Sequence, residues 1–439
     1  MDRQPVDFQG VRDRLARMET LRYYGSVQKI SGLTVESNGP PVEIGEMCLI
    51  YPLKGGEGVS AEVVGFQNKN VILMPYGELT GVGPGSRVMS TNKSLSVPVS
   101  DGLKGRVVNG LGIPMDEGPE IVPDRFQSIE NAAPNPLERK RIHEILPLGV
   151  RAIDGFLTCG RGQRVGIFAG SGVGKSTLLG MIARNALADI NVITLIGERG
   201  REVNDFLEKD LKKEGMERSV IVVATSDQPA IIRYKSAMVG TAIAEYFRDK
   251  GLNVLLMMDS LTRFAMAQRE IGMATGEPPV SRGYTPSVYA ALPKLLERTG
   301  NSAKGSITAL YTVLVEGDDL NEPITDTARS ILDGHIVLTR QLANRNHYPA
   351  IDVLQSISRL MPDITDREHY DRANQLKNSM AVHRDAEDLL NIGAYKPGSN
   401  KEIDLAVKLI PKINDILKQR VDDPSTFEDT LGMMNALFQ

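Results

Sequence analysis

Hydrophobic positions in the centre of the chain alternate between two patterns. Apolar runs of strand length are each followed, after a turn, by a segment in which apolar residues recur every three or four positions. This alternation predicts an α/β fold, with a mainly parallel sheet and helices on both faces. The predicted strands are residues 164–168, 191–196, 219–224, 253–258, 307–315 and 336–338. The predicted helices begin at Lys175 and cover residues 201–214 and 229–250.

The flanking segments follow different patterns. Residues 25–93 contain short β-rich runs separated by glycine and proline clusters, which predicts a small barrel or sandwich. After about residue 366, strand patterns end and apolar residues keep helical spacing, with Pro411 as a predicted kink. We therefore predict an N-terminal helix (1–24), a β-barrel domain (25–93), a nucleotide-binding α/β domain (94–365) and a C-terminal helical domain (366–439).

The first two dozen residues predict an amphipathic helix. Phe8, Val11, Leu15 and Met18 recur at spacings of three and four, so they form one apolar stripe. Two interpretations stay open. The stripe packs against its own domain, or it binds a partner, because Gly25 separates this helix from the β region.

Composition excludes several classes of protein. Of the 439 residues, 41% are hydrophobic and 24% charged, which is typical of folded globular chains. Lys and Arg number 51 against 55 Asp and Glu, and this balance argues against a nucleic-acid-binding protein. The sequence contains no apolar run of membrane-spanning length and no secretory signal. Cys48 and Cys159 are therefore expected to be reduced thiols of a cytosolic protein.

The strand predicted at residues 164–168 leads directly into a glycine-rich loop. Residues 169–177 read Ala-Gly-Ser-Gly-Val-Gly-Lys-Ser-Thr and precede an apolar helix, which is the context of a phosphate-binding loop. Ala169 replaces the usual first glycine, but the backbone N–H groups that hold phosphates come later in the loop. Lys175 is predicted to contact the β- and γ-phosphates, and the Ser176 hydroxyl to bind Mg²⁺. The predicted nucleotide-binding residues are Gly170, Ser171, Gly172, Val173, Gly174, Lys175, Ser176 and Thr177.

Carboxylates follow two other predicted strands. Glu198 comes two residues after strand 191–196, and Asp259 comes directly after strand 253–258. Ligands of parallel sheets bind at the carboxyl ends of strands, so both acids are expected beside the nucleotide. Asp259 suits Mg²⁺, and because Ser260 follows it instead of a second acid, Glu198 is the candidate that orients and deprotonates the attacking water. The alternatives are a surface charge for Glu198 and a helix N-cap for Asp259.

These motifs resemble the catalytic core of the rotary ATP synthases. The resemblance covers nearly the whole chain, in the order barrel, RecA-like nucleotide domain, helical domain. Within that superfamily the chain is most similar to the ATPases of type III export, and to their flagellar branch. The segments that carry the resemblance are residues 160–177, 197–202, 257–264, 282–287, 316–319 and 349–358.

The resemblance implies roles for further residues. Arg199 and Arg263 match arginines near the γ-phosphate, and Arg359 matches the arginine finger that reaches into the neighbouring subunit's site. A rigid, always-charged guanidinium suits the charge that develops on the γ-phosphoryl group. Tyr348 matches an aromatic residue that packs on adenine, and Tyr395 is a second candidate. The alternatives are a core aromatic for Tyr348 and a surface or salt-bridge arginine for Arg359.

The resemblance also implies an activity, an assembly and partners. It implies a Mg²⁺-dependent ATPase that binds ATP and ADP, forms a ring-shaped homo-hexamer and supports export of flagellar proteins. The implied partners are a regulator at the N-terminal helix, a coiled-coil stalk protein, export gate proteins, and export substrates with their chaperones. The implied location is the cytoplasmic face of the inner-membrane export apparatus, which allows peripheral membrane association. No nucleic-acid partner is expected.

Four alternative functions stay open at this point. Two are close relatives: the ATPase of a non-flagellar type III secretion system, and a catalytic subunit of a proton-translocating rotary ATPase. A third is an RNA-translocating hexameric helicase, against which the acidic balance and the 5% aromatic content argue. The fourth is a non-catalytic nucleotide-binding scaffold. Glu198 argues against it, because a structural nucleotide site has no use for a water-activating acid.

Overall fold

The computed structural model describes Arg12, residues 23–315, Gly317, Asp319 and residues 321–438. The predicted apolar stripe of the N-terminal helix lies outside the described residues, as do Glu316 and Asp318 of segment 316–319. The chain forms two compact units, of which the first ends at Leu95 and the second begins at Ser96. The four domain boundaries expected from sequence stay a prediction.

The first unit contains, within the residues described from 23 onwards, a closed antiparallel barrel with strand order β1-β2-β5-β4-β3-β6. Its strands are β1 (Tyr24–Ser31), β2 (Thr34–Asn38), β3 (Glu46–Ile50), β4 (Val59–Gln67), β5 (Asn70–Pro75) and β6 (Arg87–Ser94). Val35, Val63 and Leu73 are fully buried in its interior. Closure removes exposed strand edges, so the barrel, and not the sandwich, is the correct interpretation.

A mostly parallel sheet forms the centre of the second unit. In the described part of the chain its strand order is β17-β16-β10-β15-β13-β11-β12-β8, with β14 paired to β15. A separate pair joins β7 to β9. The strands are β7 (Ser96–Val99), β8 (Val107–Asn109), β9 (Arg125–Ser128), β10 (Arg164–Ala169), β11 (Ile190–Ile196), β12 (Ser219–Ala224), β13 (Asn253–Asp259), β14 (Gly300–Asn301), β15 (Ser306–Leu314), β16 (Gly334–Leu338) and β17 (Ile357–Ser358).

Helices cover the sheet and continue beyond it to the C-terminus. Those described are α1 (Arg151–Phe156), α2 (Lys175–Asn185), α3 (Gly200–Asp205), α4 (Lys212–Glu217), α5 (Ala230–Asp249), α6 (Leu261–Ala274), α7 (Pro286–Leu296), α8 (Pro323–Ile331), α9 (Arg340–Asn344), α10 (Met361–Ile364), α11 (Arg367–Asn391), α12 (Lys401–Leu417) and α13 (Phe427–Ala436). Short 3₁₀ turns span Asp101–Leu103 and Pro136–Glu138. The α/β class and the C-terminal helical region are thus confirmed.

The helix predicted over residues 201–214 is not continuous. A π-helical segment, Phe206–Leu211, separates α3 from α4. This segment packs closely on α2, because a Cβ on Gly180 would lie only 2.6 Å from the backbone oxygen of Asp210. The missing side chain at Gly180 therefore permits an approach that helical periodicity alone does not indicate.

The core of the second unit connects the sheet to the C-terminal helices. Phe156 of α1, Ile182 of α2 and Ile413 of α12 belong to one cluster of buried apolar side chains. Both cysteines are free thiols, as expected, and the structure shows that both are buried; burial raises the pKa of Cys48 to about 12. Among the described residues, no helix has the length and apolar character needed to cross a membrane.

Candidate active site

The glycine-rich loop connects the end of β10 to the start of α2. Strand β10 lies between β15 and β16, so the loop starts from the interior of the sheet. Gly172 and Gly174 have φ angles of 78° and 87°, which glycine alone adopts without strain. A Cβ on Gly172 would meet no described atom within 4 Å. The loop therefore presents open space at the N-terminus of α2, where backbone N–H groups and the helix dipole favour phosphate.

Three charged side chains converge beside this loop. Lys175 Nζ lies 2.5 Å from Asp259 Oδ1 and 3.6 Å from Glu198 Oε1. Strands β10, β11 and β13 are parallel members of one sheet, so the residues that follow them meet at the same edge. The side chains are mostly buried, with exposed fractions of 13% for Lys175, 5% for Asp259 and 17% for Glu198. The surface-charge interpretation of Glu198 is therefore wrong.

Asp259 is hydrogen-bonded to β15 and does not cap a helix. Thr312 of β15 donates a hydrogen bond of 2.7 Å to Asp259 Oδ1. The N-cap of α6 is Ser260, whose hydroxyl accepts from the Arg263 N–H at 3.3 Å. The N-cap interpretation of Asp259 is therefore wrong, and its carboxylate faces Lys175 instead.

The cluster changes the proton affinity of its members. Burial, together with the negative charge of Asp259, raises the pKa of Glu198 to about 7, although Lys175 acts in the opposite direction. A hydrogen bond to Glu198 keeps the pKa of Glu202 below its usual value. Burial alone would lower the pKa of Lys175, but the charges of Asp259 and Glu198 raise it. Glu198 is thus a carboxylate that can take up a proton near neutral pH, which suits a general base.

The predicted arginines lie in different surroundings. The Arg263 side chain packs against Gly197, because a Cβ there would lie 3.2 Å from its Cδ. Its Nε is buried and has no hydrogen-bond partner among the described residues. Arg199 is exposed and lies 3.9 Å from Glu202. Arg359 is exposed too, and its guanidinium donates to the Arg329 carbonyl oxygen at 3.2 Å.

Arg359 is therefore not part of its own chain's charged cluster. Within the described residues it has neither a hydrogen bond nor an ion pair with Lys175, Glu198 or Asp259. Strand β17, which directly precedes it, lies two strands away from β10. Its assignment as an arginine finger stays a prediction.

A cavity of about 830 Å³ lies beside the loop, and Gly174 and Thr177 form part of its lining. Tyr348 lines it, with its ring 3.5 Å from the position of a Cβ on Gly174. Tyr348 is 42% exposed, so the core-aromatic interpretation is wrong. The lining residues are Arg151, Gly174, Thr177, Leu178, Met181, Asn346, Tyr348, Pro349, Lys418, Gln419, Arg420, Val421, Asp422 and Asp423.

The sequence does not indicate a role for the segment at 418–423. This segment follows α12, has no motif and no periodic pattern, and is placed beside Tyr348 by the tertiary fold. Tyr395 is not among the residues that line the cavity. Its hydroxyl donates to the Asn400 carbonyl oxygen and the Asp404 carboxylate, both at 2.9 Å. A contact of Tyr395 with adenine stays a prediction.

The donor groups in the cluster fit a Mg²⁺ ion. Asp259 provides a carboxylate, and Ser176, next to Lys175 in the first turn of α2, provides a hydroxyl. Oxygen ligands of this kind are those that Mg²⁺ prefers. Two carboxylates share the single ammonium of Lys175, so the site already accommodates positive charge between them.

A phosphate-binding loop at the carboxyl edge of a mostly parallel sheet, with two acids from other strands of that sheet beside its lysine, defines a nucleotide-hydrolysing protein. Models of known families agree with this class. Residues 27–92 match the beta-barrel domain of the ATP synthase alpha/beta family, and residues 149–358 match its nucleotide-binding domain. Residues 365–436 match the T3SS EscN ATPase C-terminal domain.

Curated relatives and solved structures match nearly the full chain. The flagellum-specific ATP synthase of Bacillus subtilis is 54% identical over 98% of both chains. The type 3 secretion system ATPase of Xanthomonas euvesicatoria is 49% identical over 96% of both chains. The assembled ATPase EscN of enteropathogenic E. coli superposes with a TM-score of 0.90 at 46% identity, covering 94% of this chain and all of that chain. The chain belongs to the ATP synthase alpha/beta family.

Proposed function

We propose that this chain is the Mg²⁺-dependent ATPase of a flagellar protein export apparatus and couples ATP hydrolysis to the export of flagellar proteins. The observation that carries the ATPase assignment is the convergence of Lys175, Glu198 and Asp259 beside the phosphate-binding loop. The flagellar assignment rests on the 54% identity with a flagellum-specific ATP synthase over 98% of both chains.

Each side chain of the cluster has one task in hydrolysis. Loop N–H groups and Lys175 bind the β- and γ-phosphates of ATP. Glu198 orients the attacking water and accepts its proton, because its pKa lies near neutral pH. Ser176 and Asp259 would hold Mg²⁺, which when bound adds positive charge that balances the phosphates. Arg263 lies next to Gly197 and Glu198, where its guanidinium can stabilise charge on the γ-phosphate.

The cavity beside Tyr348 accepts the nucleotide base. Tyr348 is half exposed, directly above Gly174, so its ring can stack on adenine while the phosphates occupy the loop. This arrangement accounts for a binding cavity that extends from the loop to residues 418–423.

The active form is a homo-hexameric ring in which Arg359 completes the site of the neighbouring subunit. The exposure of Arg359 and its distance in the sheet from β10 support a role outside its own chain's site. EscN has been solved in assembled form and in complex with its central stalk EscO, and a stalk partner is proposed here by analogy. A regulator at the N-terminal helix, gate proteins, export substrates and chaperones are further proposed partners, at the cytoplasmic face of the inner membrane.

Substitution of Glu198 tests the ATPase assignment. Glu198→Gln keeps the shape of the side chain and removes the base, so nucleotide should still bind while turnover falls about 10²–10⁴-fold. Lys175→Ala should instead weaken nucleotide binding, because it removes a charge that contacts the phosphates. Phosphate release and calorimetric titration with ADP measure the two effects. The matched control is Glu208→Gln, because Glu208 is an exposed glutamate of the π-helical segment. Full turnover by Glu198→Gln would refute the assignment.

The flagellar assignment needs a separate test. The similarity to type 3 secretion system ATPases favours one second candidate, the ATPase of a non-flagellar injectisome. Deleting the gene should abolish flagella and leave any injectisome intact. Loss of secretion through an injectisome, with flagella retained, would support the second candidate instead.

A further inference from the structure

Gln419 uses both of its amide protons, its amide oxygen and its backbone N–H to join segments that are distant in the chain. Its amide oxygen accepts from the Arg151 N–H at 2.9 Å, across 268 residues of chain. Its amide nitrogen donates to the carbonyl oxygens of Gly149 at 3.0 Å and Asp423 at 2.8 Å. Its backbone N–H donates to the Tyr348 carbonyl oxygen at 3.0 Å. Gln419 is 4% exposed, so water does not compete for these bonds.

A second link reinforces the first. Arg151, whose side chain is 9% exposed, forms an ion pair with Asp423. Its guanidinium also lies 3.6 Å from the sulfur of Met433 in α13. The turn before α1 is therefore connected to the segment after α12 by both neutral and charged hydrogen bonds.

These bonds position two walls of the cavity beside the phosphate-binding loop. Tyr348, held through its carbonyl oxygen, contacts Gly174 with its ring. Gly149 packs so closely on Asn185, at the end of α2, that a side chain there would collide with it. Gln419 thus connects Tyr348, which lies at the start of α2, with Gly149, which packs against the end of α2. Helix α2 is the one that begins at Lys175.

Gln419 lines the cavity but has little capacity left to contact a ligand. Both protons of its amide group and the amide oxygen are already engaged by protein partners. An acceptor on the base could bind Gln419 only by displacing one of its two donated bonds, which is costly, and a donor would have to share the buried amide oxygen with the Arg151 N–H. Its effect on a nucleotide is therefore indirect, through the groups that it holds.

We infer that Gln419 is a positioning residue for the nucleotide base, which holds Tyr348 and residues 418–423 at the distance from the loop that a bound nucleotide needs. The inference rests on the proposed function for the identity of the ligand. It concerns binding of the base only, because none of the hydrogen bonds of Gln419 involves Lys175, Glu198 or Asp259.

The variant Gln419→Glu tests this role with almost no change in size. The carboxylate places an oxygen, which can only accept, where the amide NH₂ group donated to the carbonyl oxygens of Gly149 and Asp423. These oxygens repel one another, so Tyr348 and its surroundings should shift. We expect KM for ATP to rise about 10- to 100-fold, as the loss of buried hydrogen bonds implies. We expect kcat to stay within about twofold, because only binding common to ground and transition states is lost. Calorimetric affinity for ADP should fall by the same factor as KM rises.

Gln375→Glu is the matched control, because Gln375 is exposed on α11 and outside the cavity. It should leave KM, kcat and ADP affinity unchanged. A purely structural role of Gln419 would lower kcat and the melting temperature together, and that result would overturn the inference. Unchanged KM and ADP affinity in Gln419→Glu would also overturn it.

If Gln419→Glu does not fold, hydrogen exchange in the unmodified protein tests the role of Gln419 instead. Addition of ADP should slow exchange of the Arg151 and Gln419 N–H groups together, because both belong to the connection that the base stabilises. Equal exchange with and without ADP would overturn the inference. An unmodified protein that binds ADP but does not hydrolyse ATP would contradict the proposed function alone, and ADP affinity and exchange would still test Gln419.

Discussion

Lys175, Glu198 and Asp259 place one positive and two negative charges in a space that excludes most water. Charges interact more strongly in such a space than in bulk solvent, so the pKa values of Glu198 and Lys175 depend on the charges beside them. Asp259 is paired with Lys175 at 2.5 Å, which leaves Glu198 as the more weakly paired carboxylate at 3.6 Å. Burial is the largest cause of the raised pKa of Glu198, the charge of Asp259 adds to it, and Lys175 opposes it. The difference in distance makes Asp259 the closer charge partner of Lys175.

The raised pKa of Glu198 predicts how activity depends on pH. A general base acts in its deprotonated form, so kcat/KM should rise as pH increases through about 7 and level off above it. A glutamate with an ordinary pKa would give this rise at a more acidic pH. Steady-state ATP hydrolysis measured across this pH range checks the prediction.

The variant Glu202→Gln tests whether Glu198 causes this rise. Glu202 raises the pKa of Glu198 through a hydrogen bond and its charge. Removing that charge should move the rise in kcat/KM to lower pH, whereas Glu208→Gln should leave it in place. A profile that is identical in the Glu202→Gln protein would assign the titration to another group.

At the scale of elements, the C-terminal helix α13 is stabilised at its start by reciprocal capping. The Thr426 hydroxyl accepts from the Asp429 N–H at 3.1 Å, and the Asp429 carboxylate accepts from the Thr426 N–H at 3.2 Å. The helix packs on α1, because a Cβ on Gly155 would lie 2.7 Å from the sulfur of Met434. The cap therefore supports a helix that packs on α1, whose first residue, Arg151, lines the cavity beside the phosphate-binding loop.

Thr426→Ala should destabilise α13 by about 1 kcal/mol, the usual effect of losing an N-cap side chain. Thr426→Ser keeps the hydroxyl and should retain most of the stability. Native-state hydrogen exchange of the α13 amides is the suitable measurement, because it reports local opening in a chain with two compact units. Equal loss in the Ala and Ser variants would show that the methyl group, and not the cap, stabilises the helix.

At the scale of the whole molecule, one chain contains the phosphate-binding loop and the acids, but its Arg359 lies outside that cluster. The Arg359 side chain is long and exposed, so its guanidinium contributes to hydrolysis only if it reaches the site of another chain. The proposed ring provides this arrangement, since each interface then combines a loop from one chain with an arginine from the next.

Mixing two inactive variants tests the arrangement across subunits. Arg359→Ala should lower turnover by about 10³–10⁵-fold if Arg359 acts as a finger in trans. Mixed rings of Arg359→Ala and Lys175→Ala protein should regain part of the activity, because some interfaces then join an intact loop to an intact arginine. ATP hydrolysis across mixing ratios is the measurement.

The control for this experiment is another exposed arginine. Arg367→Ala, on α11, should leave turnover unchanged, because the Arg367 side chain is 94% exposed and pairs with the exposed Asp371 at 3.6 Å. Absence of any rescue in rings that are shown to contain both variants would contradict a finger in trans.

Much of the fold followed from the local pattern of the sequence. The predicted strands lie within two residues of those observed, because periodicity and turn residues depend on near neighbours along the chain. The loop at 170–177 was recognisable for the same reason, since one contiguous segment provides its glycines and Lys175. Glu198 and Asp259 were located by a general property of parallel sheets, whose carboxyl ends meet at one edge.

The sequence by itself thus determined the class of fold, the phosphate-binding loop and the acids expected beside it. The tertiary structure alone decided that residues 418–423 line the cavity beside the phosphate-binding loop, that Gln419 bonds to Arg151 and Gly149, and that the pKa of Glu198 is raised. These features depend on segments that are far apart in the chain and meet only when the core packs. Burial and distance set their energies, and neither quantity is encoded in the order of neighbouring residues.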